Sequence, residues 1–493
     1  MAMSSWPFRV HSLPPAAGLA LLAGCTVGPD YHPPAVAVPA QFERGDAEAA
    51  ASADLAQWWQ GWDDPLLNAL VARGVAANLD LGQAAARVRQ ARWQITIAGA
   101  SGRPQLSVQA EPSYTRLSRN SQIGAIASQG GGLAGAGLPG TDFDSYRAGF
   151  DASWEIDLFG GVRRSVEAAR ARADASEWSR RDARILIVSE IADGYFHLRS
   201  LDARIAIADA DLAAQHELLD FISTRLHAGL VSTLDARRQE QAIAAATAAR
   251  ATLAAERETQ LHALGLLLGG MPADLASALA ASPTPPAVRP TIIAGLPSDL
   301  LRRRPDIRAA ERMLAAASAD IGVAVADRFP KLTLTGTAEL VSTALASLFT
   351  GDSLQLMGAA NLSLPLLDGG RARATVHLRE DAYREAELAY RATVLAALRD
   401  VEDALSRHAA DRDRLTALAA ADVAARDALD TARVKYRAGL IDFLDVRTAE
   451  ATSLDAADSL AKARVAVDQD MVALYKSLGG GWSESDGARE GQP

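Results

Sequence analysis

The feature that most constrains this chain is a strand-like alternation that runs directly into a very long helical pattern. Between 145 and 158 apolar and polar or small residues alternate, and the apolar set is Tyr146, Ala148, Phe150, Ala152, Trp154, Ile156 and Leu158. A period of two indicates a β-strand with one apolar face. The alternation stops at Gly160 and Gly161, and no glycine or proline follows before Gly194. The sequence therefore predicts a two-faced strand, a turn at the glycine pair and a long helix.

The same plan occurs twice along the chain. The first long helix should cover roughly 65 residues, or about 95 Å, and it ends near Gly229. After a proline-rich stretch the order helix, alternating strands, glycine pair and long helix returns, with Gly369 and Gly370 in place of the first pair and Gly439 in place of Gly229. Gly439 follows Gly229 by 210 residues, so we predict two internal repeats.

These patterns divide the chain into six segments. They are a signal peptide (1–24), a lipid anchor with an extended linker (25–56), a first repeat (57–268), a proline-rich linker (269–292), a second repeat (293–478) and a flexible tail (479–493). Each repeat is predicted to contain a helix, a strand hairpin, a long helix and a return helix. The hairpins are predicted at 104–159 and 330–368.

The only cysteine, Cys25, ends a short apolar run in the setting Leu-Ala-Gly-Cys. This arrangement is typical of a bacterial export signal and resembles the lipoprotein box, in which the thiol is acylated, for example with palmitate. An incidental buried cysteine is the alternative. Because Thr26 is not an aspartate, resemblance to the sorting rule implies anchoring in the outer membrane.

Composition excludes several functions. The 50 basic and 60 acidic residues give a net charge of −10, so no nucleic-acid partner is expected. No run of 18 apolar residues predicts a spanning helix. No catalytic constellation, phosphate-binding loop or metal-ligand spacing is present, so we predict neither an enzyme nor a cofactor.

Four long two-faced strands are typical of a transmembrane barrel with lipid outside and water inside. Four strands cannot close such a barrel, because closed membrane barrels begin at about eight. We therefore expect a mixed α/β membrane protein that must oligomerise, with the long helices extending the pore as a helical barrel.

Several motifs then identify a resemblance to a known family. They are the lipoprotein box, Thr26-Val27-Gly28-Pro29-Asp30-Tyr31, Trp154-Glu155-Ile156-Asp157-Leu158-Phe159-Gly160, the run Gly295-Leu296-Pro297-Ser298-Asp299-Leu300-Leu301, and Tyr436-Arg437-Ala438-Gly439. Together they resemble the TolC-like outer-membrane efflux factor family, in its NodT-type lipoprotein branch. The resemblance implies a homotrimer with a 12-stranded barrel in outer-membrane lipid and a periplasmic helical barrel. It also implies two partners, a periplasmic adaptor and an inner-membrane resistance-nodulation-division pump.

In this family the helical hairpin tips contact the adaptor and form the periplasmic gate. The matching adaptor-contact positions are Gly229, Leu230, Val231, Gly439, Leu440 and Ile441. The predicted gate residues are Asp235, Asp442, Leu444, Asp445 and Arg447, with Arg237 as a second candidate base. Rings of charge about an axis would control the passage of ions. The plainer interpretation is capped helix turns with solvated acids.

We therefore predict a passive outer-membrane conduit that exports small molecules such as drugs and toxic compounds. Two alternatives are a conduit for type I protein secretion and a lipid-anchored periplasmic coiled-coil structural protein. At the junction of strand and helix, Gly160, Gly161, Gly369 and Gly370 are expected to let the backbone turn. Trp154 and Phe159 are expected to lie near the membrane edge.

Overall fold

The computed structural model describes residues 26–43, 55–118, 120–121, 125, 142–271 and 297–483. Numbered in chain order, its elements are α1 Pro65–Ala77, α2 Leu79–Ala100, β1 Gln105–Arg116, β2 Asp142–Ile156, α3 Gly161–His227, α4 Thr233–Leu267, α5 Pro297–Arg303, α6 Pro305–Ala326, β3 Lys331–Ser342, β4 Leu354–Ser363, α7 Arg371–Arg437 and α8 Phe443–Ser477. Both long helices, α3 and α7, have 67 residues, and both return helices, α4 and α8, have 35. Single-turn or short 3₁₀ helices lie at Leu55–Trp62, Leu345–Ser347 and Gly351–Ser353.

The chain divides into two compact units, which we describe separately. The sheet unit lies within residues 1–33, 90–173 and 312–387, and the helical unit within 34–89, 174–311 and 388–493.

The four strands of the sheet unit form one antiparallel sheet in the order β1-β2-β3-β4, so β1 and β4 are its edges. The register places Val108 opposite Phe150, Phe150 opposite Ala338, and Ala338 opposite Leu356. One face is therefore apolar across all four strands. Val108 is 72% exposed and Leu356 71%, so none of the described residues covers that face at these positions.

The strands are shorter than the predicted hairpins. β2 ends at Ile156, and β4 ends at Ser363, although the alternation continues to Leu366. Leu366 and Leu367 are 88% and 96% exposed and belong to the turn before α7. The alternation predicted too long a strand here. The length of β4 depends on where its neighbour β3 begins, and alternation within one segment does not show this.

The first helix is interrupted, which the sequence pattern did not predict. Asn78 takes an extended conformation between α1 and α2. Its Oδ1 accepts hydrogen bonds from the N–H groups of Asp80 at 2.9 Å and Leu81 at 3.1 Å, so Asn78 acts as the N-cap of α2. Its amide also donates to the carbonyl of Leu267 at 2.8 Å, which ties the break to the end of α4.

The core of the helical unit is rich in aromatic side chains. Trp58 stacks on Tyr475 at 5.3 Å between ring centroids, and Trp62 packs against Phe196 at 5.2 Å. The indole N–H of Trp62 donates to Asp468 at 3.1 Å, which satisfies the polar atom of a side chain only 1% exposed. The segment Leu55–Trp62 is thus a 3₁₀ segment that buries its three tryptophans, and the predicted linker ends before residue 55.

The predicted tail boundary at residue 479 is also wrong for the first residues of that segment. Gly479, Gly480 and Gly481 are buried, and the N–H of Gly481 donates to the carbonyl of Leu55 at 2.7 Å. Trp482 donates to the carbonyl of Arg303 at 3.2 Å and packs on Trp178. These residues close the core of the helical unit.

None of the helices in the described part of the chain combines the length and hydropathy that a membrane crossing requires.

A pair of carboxyl groups links α7 and α8 within the helical unit. Asp470 is 9% exposed and lies beside Asp411. Burial, together with the charge of Asp411 and a hydrogen bond to it, raises the pKa of Asp470 to about 6. The folded state therefore holds a proton that the unfolded chain releases at a lower pH.

This pair predicts a specific pH dependence of stability. The stabilising contribution of the protonated pair is complete below the unfolded pKa of about 3.9 and is lost as pH rises through about 6. Asp470→Asn mimics the protonated side chain, so we expect it to raise the melting temperature above pH 6 and to change it little at low pH. Thermal unfolding followed by circular dichroism measures this, with Asp455→Asn at an exposed position of α8 as control. Equal effects of Asp470→Asn at all pH values would contradict the assignment.

Candidate functional site

Two candidate sites carry the residues singled out in the sequence: the strand–helix junctions of the sheet unit and the hairpin tips of the helical unit. At the first junction, the carboxylate of Asp157 accepts hydrogen bonds from the N–H groups of Val162 at 3.2 Å and Arg163 at 3.0 Å. At the second, Asp368 accepts from Gly370 at 2.9 Å and Ala372 at 2.8 Å. Each acid satisfies free N–H groups at the start of a 67-residue helix. The Ala372 hydrogen bond lowers the pKa of Asp368.

The junction glycines have different roles. Gly160, Gly369 and Gly370 have φ values of +81°, +67° and +86°, which L-residues with a Cβ rarely adopt. Gly161 does not share this conformation, so the prediction that it allows the turn is wrong. A Cβ at Gly161 would instead lie 3.2 Å from the Cβ of Ala326, so packing favours a small residue there.

The predicted edge aromatics both make defined contacts. The indole N–H of Trp154 donates to the carbonyl of Gly102 at 3.0 Å. Phe159 stacks on Phe329 with 4.7 Å between ring centroids, and Phe329 precedes β3 as Phe159 follows β2. These contacts join the end of β2 and the residues after it to the short segments that connect α2 to β1 and α6 to β3.

The segment after Cys25 is bound to this junction, which the sequence pattern missed. Cys25 itself lies outside the described residues. The N–H of Val27 donates to the carbonyl of Phe159 at 3.2 Å, and Gly28 lies so close to Gly322 that a Cβ would be 2.4 Å from its Cα. The predicted extended linker is therefore packed against the sheet unit in its first residues.

Arg164 holds this segment in place. Its side chain is 5% exposed, and its guanidinium donates to the carbonyls of Val27 and Gly28 and to Asp30 at 3.2, 3.4 and 2.8 Å. A further hydrogen bond at 2.8 Å goes to Glu167 in the next turn of α3. The planar fork of arginine suits this multiple contact, which a lysine could not reproduce.

Both hairpin tips end the long helices with the same backbone motif. The N–H of Gly229 donates to Leu226 and that of Leu230 to Arg225, each at 2.9 Å, and Gly439 and Leu440 repeat this with Tyr436 and Lys435. With φ values of +71° and +74° at the glycines, these are Schellman caps. Leu230 and Leu440 are 66% and 73% exposed, whereas Val231 and Ile441 pack against the cluster beneath.

An aromatic cluster supports the two tips. Tyr436 packs against Phe221 and Phe443, both at 6.1 Å between ring centroids, and Ile222 and Val446 are fully buried beside them. Burial, with the nearby Asp235 charge, raises the pKa of Tyr436. The tips of both hairpins therefore share one small core.

The predicted gate residues are not all paired with one another. Asp445 accepts a hydrogen bond from the N–H of Asp442 at 3.3 Å, and Asp235 from the hydroxyl of Ser232 at 3.2 Å. Leu444 is 62% exposed. Arg447 binds Glu450 at 2.7 Å instead of an acid at the tip, and Arg433 also binds Glu450, at 3.3 Å. Glu450, whose side chain is 2% exposed, was not singled out from the sequence.

No group of three His, Cys, Asp or Glu side chains that could hold a metal ion occurs among the described residues.

Known proteins share the sequence and the architecture of this chain. The family model described as "Outer membrane efflux protein" matches residues 71–270 and 296–480. The chain belongs to the outer membrane efflux protein family. It is 32% identical over 463 residues to Nodulation protein T of Rhizobium leguminosarum bv. viciae, which covers 94% of this chain and 92% of that protein. It is 33% identical over 472 residues to the pyoverdine export outer membrane protein OpmQ of Pseudomonas aeruginosa, covering 94% and 95%.

The fold agrees with that of a solved outer membrane efflux protein. The outer-membrane channel OprN superposes with a TM-score of 0.80 at 32% identity, covering 93% of this chain and all of that one. The resemblance to a TolC-like family is thus confirmed, and with it an outer membrane location and a role as an efflux channel.

For Arg164 we predict a role in holding the segment that follows Cys25. Arg164→Met removes four hydrogen bonds, so we expect a lower melting temperature and faster proteolysis within residues 26–33. Arg164→Lys should restore the charge but not the resistance to proteolysis. Arg170→Met, an exposed arginine of the same helix, is the matched control. Unchanged proteolysis in Arg164→Met would contradict this role.

For the junction glycines we predict unequal effects of substitution. Gly160→Val combines a strained φ with a Cβ only 2.8 Å from Thr26, whereas Gly370→Val has the strained φ but no atom within 4 Å. Each strained position costs about 1–3 kcal/mol, and Gly160→Val should cost more. The yield of heat-stable oligomer measures this, with Gly351→Val, an open position, as control. Normal yield from the Gly160→Val/Gly370→Val double variant would refute the prediction.

Proposed function

We propose that three copies of this chain form a 12-stranded barrel in the outer membrane and that their long helices form a periplasmic helical barrel. The sheet carries this proposal. It has an exposed apolar face, a polar opposite face and two edges, β1 and β4, that no other strand of the described residues pairs with. Lipid would cover the apolar face, and neighbouring copies would pair the edges. The equal lengths of α3 and α7, and of α4 and α8, support two internal repeats.

In this proposal the protein is the exit conduit of a tripartite efflux system. A periplasmic adaptor and an inner-membrane resistance-nodulation-division pump are the partners, and the pump supplies the energy. The cargo is a small molecule; the OpmQ relative is named for pyoverdine export. The conduit itself is not an enzyme. Lipidation of Cys25, as in a lipoprotein, would place a second membrane attachment beside the junction held by Arg164.

Reconstitution in planar bilayers tests this function. We expect discrete channels and a molecular mass of three chains in detergent. Absence of conductance would overturn the channel and favour a structural role in the periplasm. Co-purification with a type I secretion adaptor, in place of a pump adaptor, would assign the conduit to protein secretion.

We further propose that the exposed leucines of the tips contact the adaptor and that the adjacent acids form the gate. Leu230 and Leu440 extend from rigid capped turns, with Gly229 and Gly439 fixing the backbone and Val231 and Ile441 anchoring it to the aromatic cluster. Asp235, Asp442 and Asp445 begin the return helices beside Leu444, so three copies would place three such sets around one axis. Arg447 stabilises the gate through Glu450.

The gate assignment predicts a change in closed-state conductance. Asp445→Ala removes the charge and the hydrogen bond to Asp442, and Arg447→Ala leaves buried Glu450 with Arg433 alone. We expect both to raise the ion conductance of the closed channel in planar bilayers. Asp455→Asn, an exposed acid elsewhere on α8, is the control. Unchanged conductance in both variants would remove these residues from the gate.

A further inference from the structure

The polar face of the sheet has one row of charged and polar side chains that crosses all four strands. Glu111 of β1 lies opposite Arg147 of β2, and Glu339 of β3 lies opposite Gln355 of β4. Arg147 lies opposite Val341, and Val341 and Glu339 are successive residues on the same face of β3. Arg147 and Glu339 are therefore diagonal neighbours, which connects the two pairs. We call Glu111, Arg147, Glu339 and Gln355 the transverse row.

The transverse row is tightly built around Glu339. The Nε of Arg147 lies 3.5 Å from one carboxylate oxygen of Glu339, and the amide of Gln355 donates to the other at 3.4 Å. The Glu339 side chain is 14% exposed. Opposite it, Gly149 leaves no space for a side chain, because a Cβ there would lie 2.4 Å from the Cα of Glu339. Strand contact thus fixes Glu339, whereas Glu111 remains exposed.

The charge of this face is unbalanced. The polar face of the strands has two basic residues, Arg147 and Lys331. It has four acidic residues, which are Glu111, Asp151, Glu155 and Glu339. Lys331 is engaged by Asp327 at 2.8 Å, outside the strands. Within the transverse row, Arg147 is the one base beside two acids, so the row has a net negative charge in each chain.

We propose that the transverse row is a charge-selective ring inside the barrel, which favours small hydrated cations and cationic solutes over anions. This inference rests on the proposed function, since only a closed pore places the polar face around water. Repetition of the row in each copy surrounds the path with acids, and a pore with low-dielectric walls strengthens their effect on a passing ion. Arg147 holds Glu339 in position and lowers the net charge of the ring.

The reversal potential in a KCl gradient tests this ring, measured on the reconstituted full-length protein. We expect cation preference in the unchanged channel, a shift of the reversal potential toward zero in Glu339→Gln and Glu111→Gln, and a shift toward greater cation preference in Arg147→Gln. The preference should weaken in about 1 M salt, where the Debye length falls to about 3 Å. Asp144→Asn makes the same change of charge on the opposite face of β2 and should leave the potential unchanged.

Two outcomes separate this inference from the proposed function. If the protein conducts and the row variants keep the original reversal potential, the ring is wrong and the channel stands. If Glu339→Gln lowers the melting temperature but leaves the reversal potential unchanged, the transverse row stabilises the sheet and does not select ions. If no conductance is seen, both the channel and the ring fail. Heat-stable oligomers on gels show that each variant has assembled before its potential is measured.

Discussion

The backbone hydrogen-bonding groups at the edges of the β-sheet need partners outside the described strands. The sheet ends at β1 on one side and β4 on the other, each with a row of N–H and C=O groups that no strand in the described part of the chain pairs with. In hydrocarbon each unsatisfied group costs several kcal/mol, so a single chain could not hold this sheet in a membrane. One face also exposes large apolar side chains such as Val108 and Leu356, and an apolar surface of this kind is typical of a site that contacts lipid or another protein. In the proposed assembly, neighbouring copies pair the edges and lipid covers the apolar face.

The same principle governs the change from strand to helix. A long helix begins with free N–H groups, and here Asp157 and Asp368 accept hydrogen bonds from them. The left-handed glycines make the turn, and the segment after Cys25 covers the first junction through Arg164. Polar groups of the backbone are thereby satisfied where the regular ladder of the sheet stops. The junction is a packed structure and not a flexible link.

Much of this fold could be predicted from periodicity. The alternation located the strands, because it is a local consequence of side-chain direction. Long runs without proline, interrupted only by Gly194 in α3, located α3 and α7. Tertiary contacts were not predictable in this way. Asn78 interrupts a helical pattern because its side chain caps α2 and its amide reaches Leu267. In the sequence, Arg164 is one of many arginines in a helical pattern. Its hydrogen bonds to Val27 and Asp30 depend on the tertiary fold, which the pattern does not predict.

The two hairpin tips have the same order of elements but differ in the side chains that stabilise them. Tyr436 and Phe443 occupy the positions of Leu226 and Thr233, 210 residues earlier. The second hairpin therefore supplies two of the three aromatic side chains in the core that both tips share, and Phe221 of the first hairpin is the third. Glu240 and Glu450 each bind an arginine three residues before them at 2.7 Å, yet the Glu240 side chain is 46% exposed and that of Glu450 2%. An exposed pair of this kind contributes little, whereas removal of one partner from a buried pair leaves an uncompensated charge. Arg433, which has a serine at its counterpart position 223, gives Glu450 the second partner that its burial requires. The second tip thus holds a buried acid between two arginines, whereas the corresponding acid of the first tip is exposed and has one arginine partner among the described ion pairs.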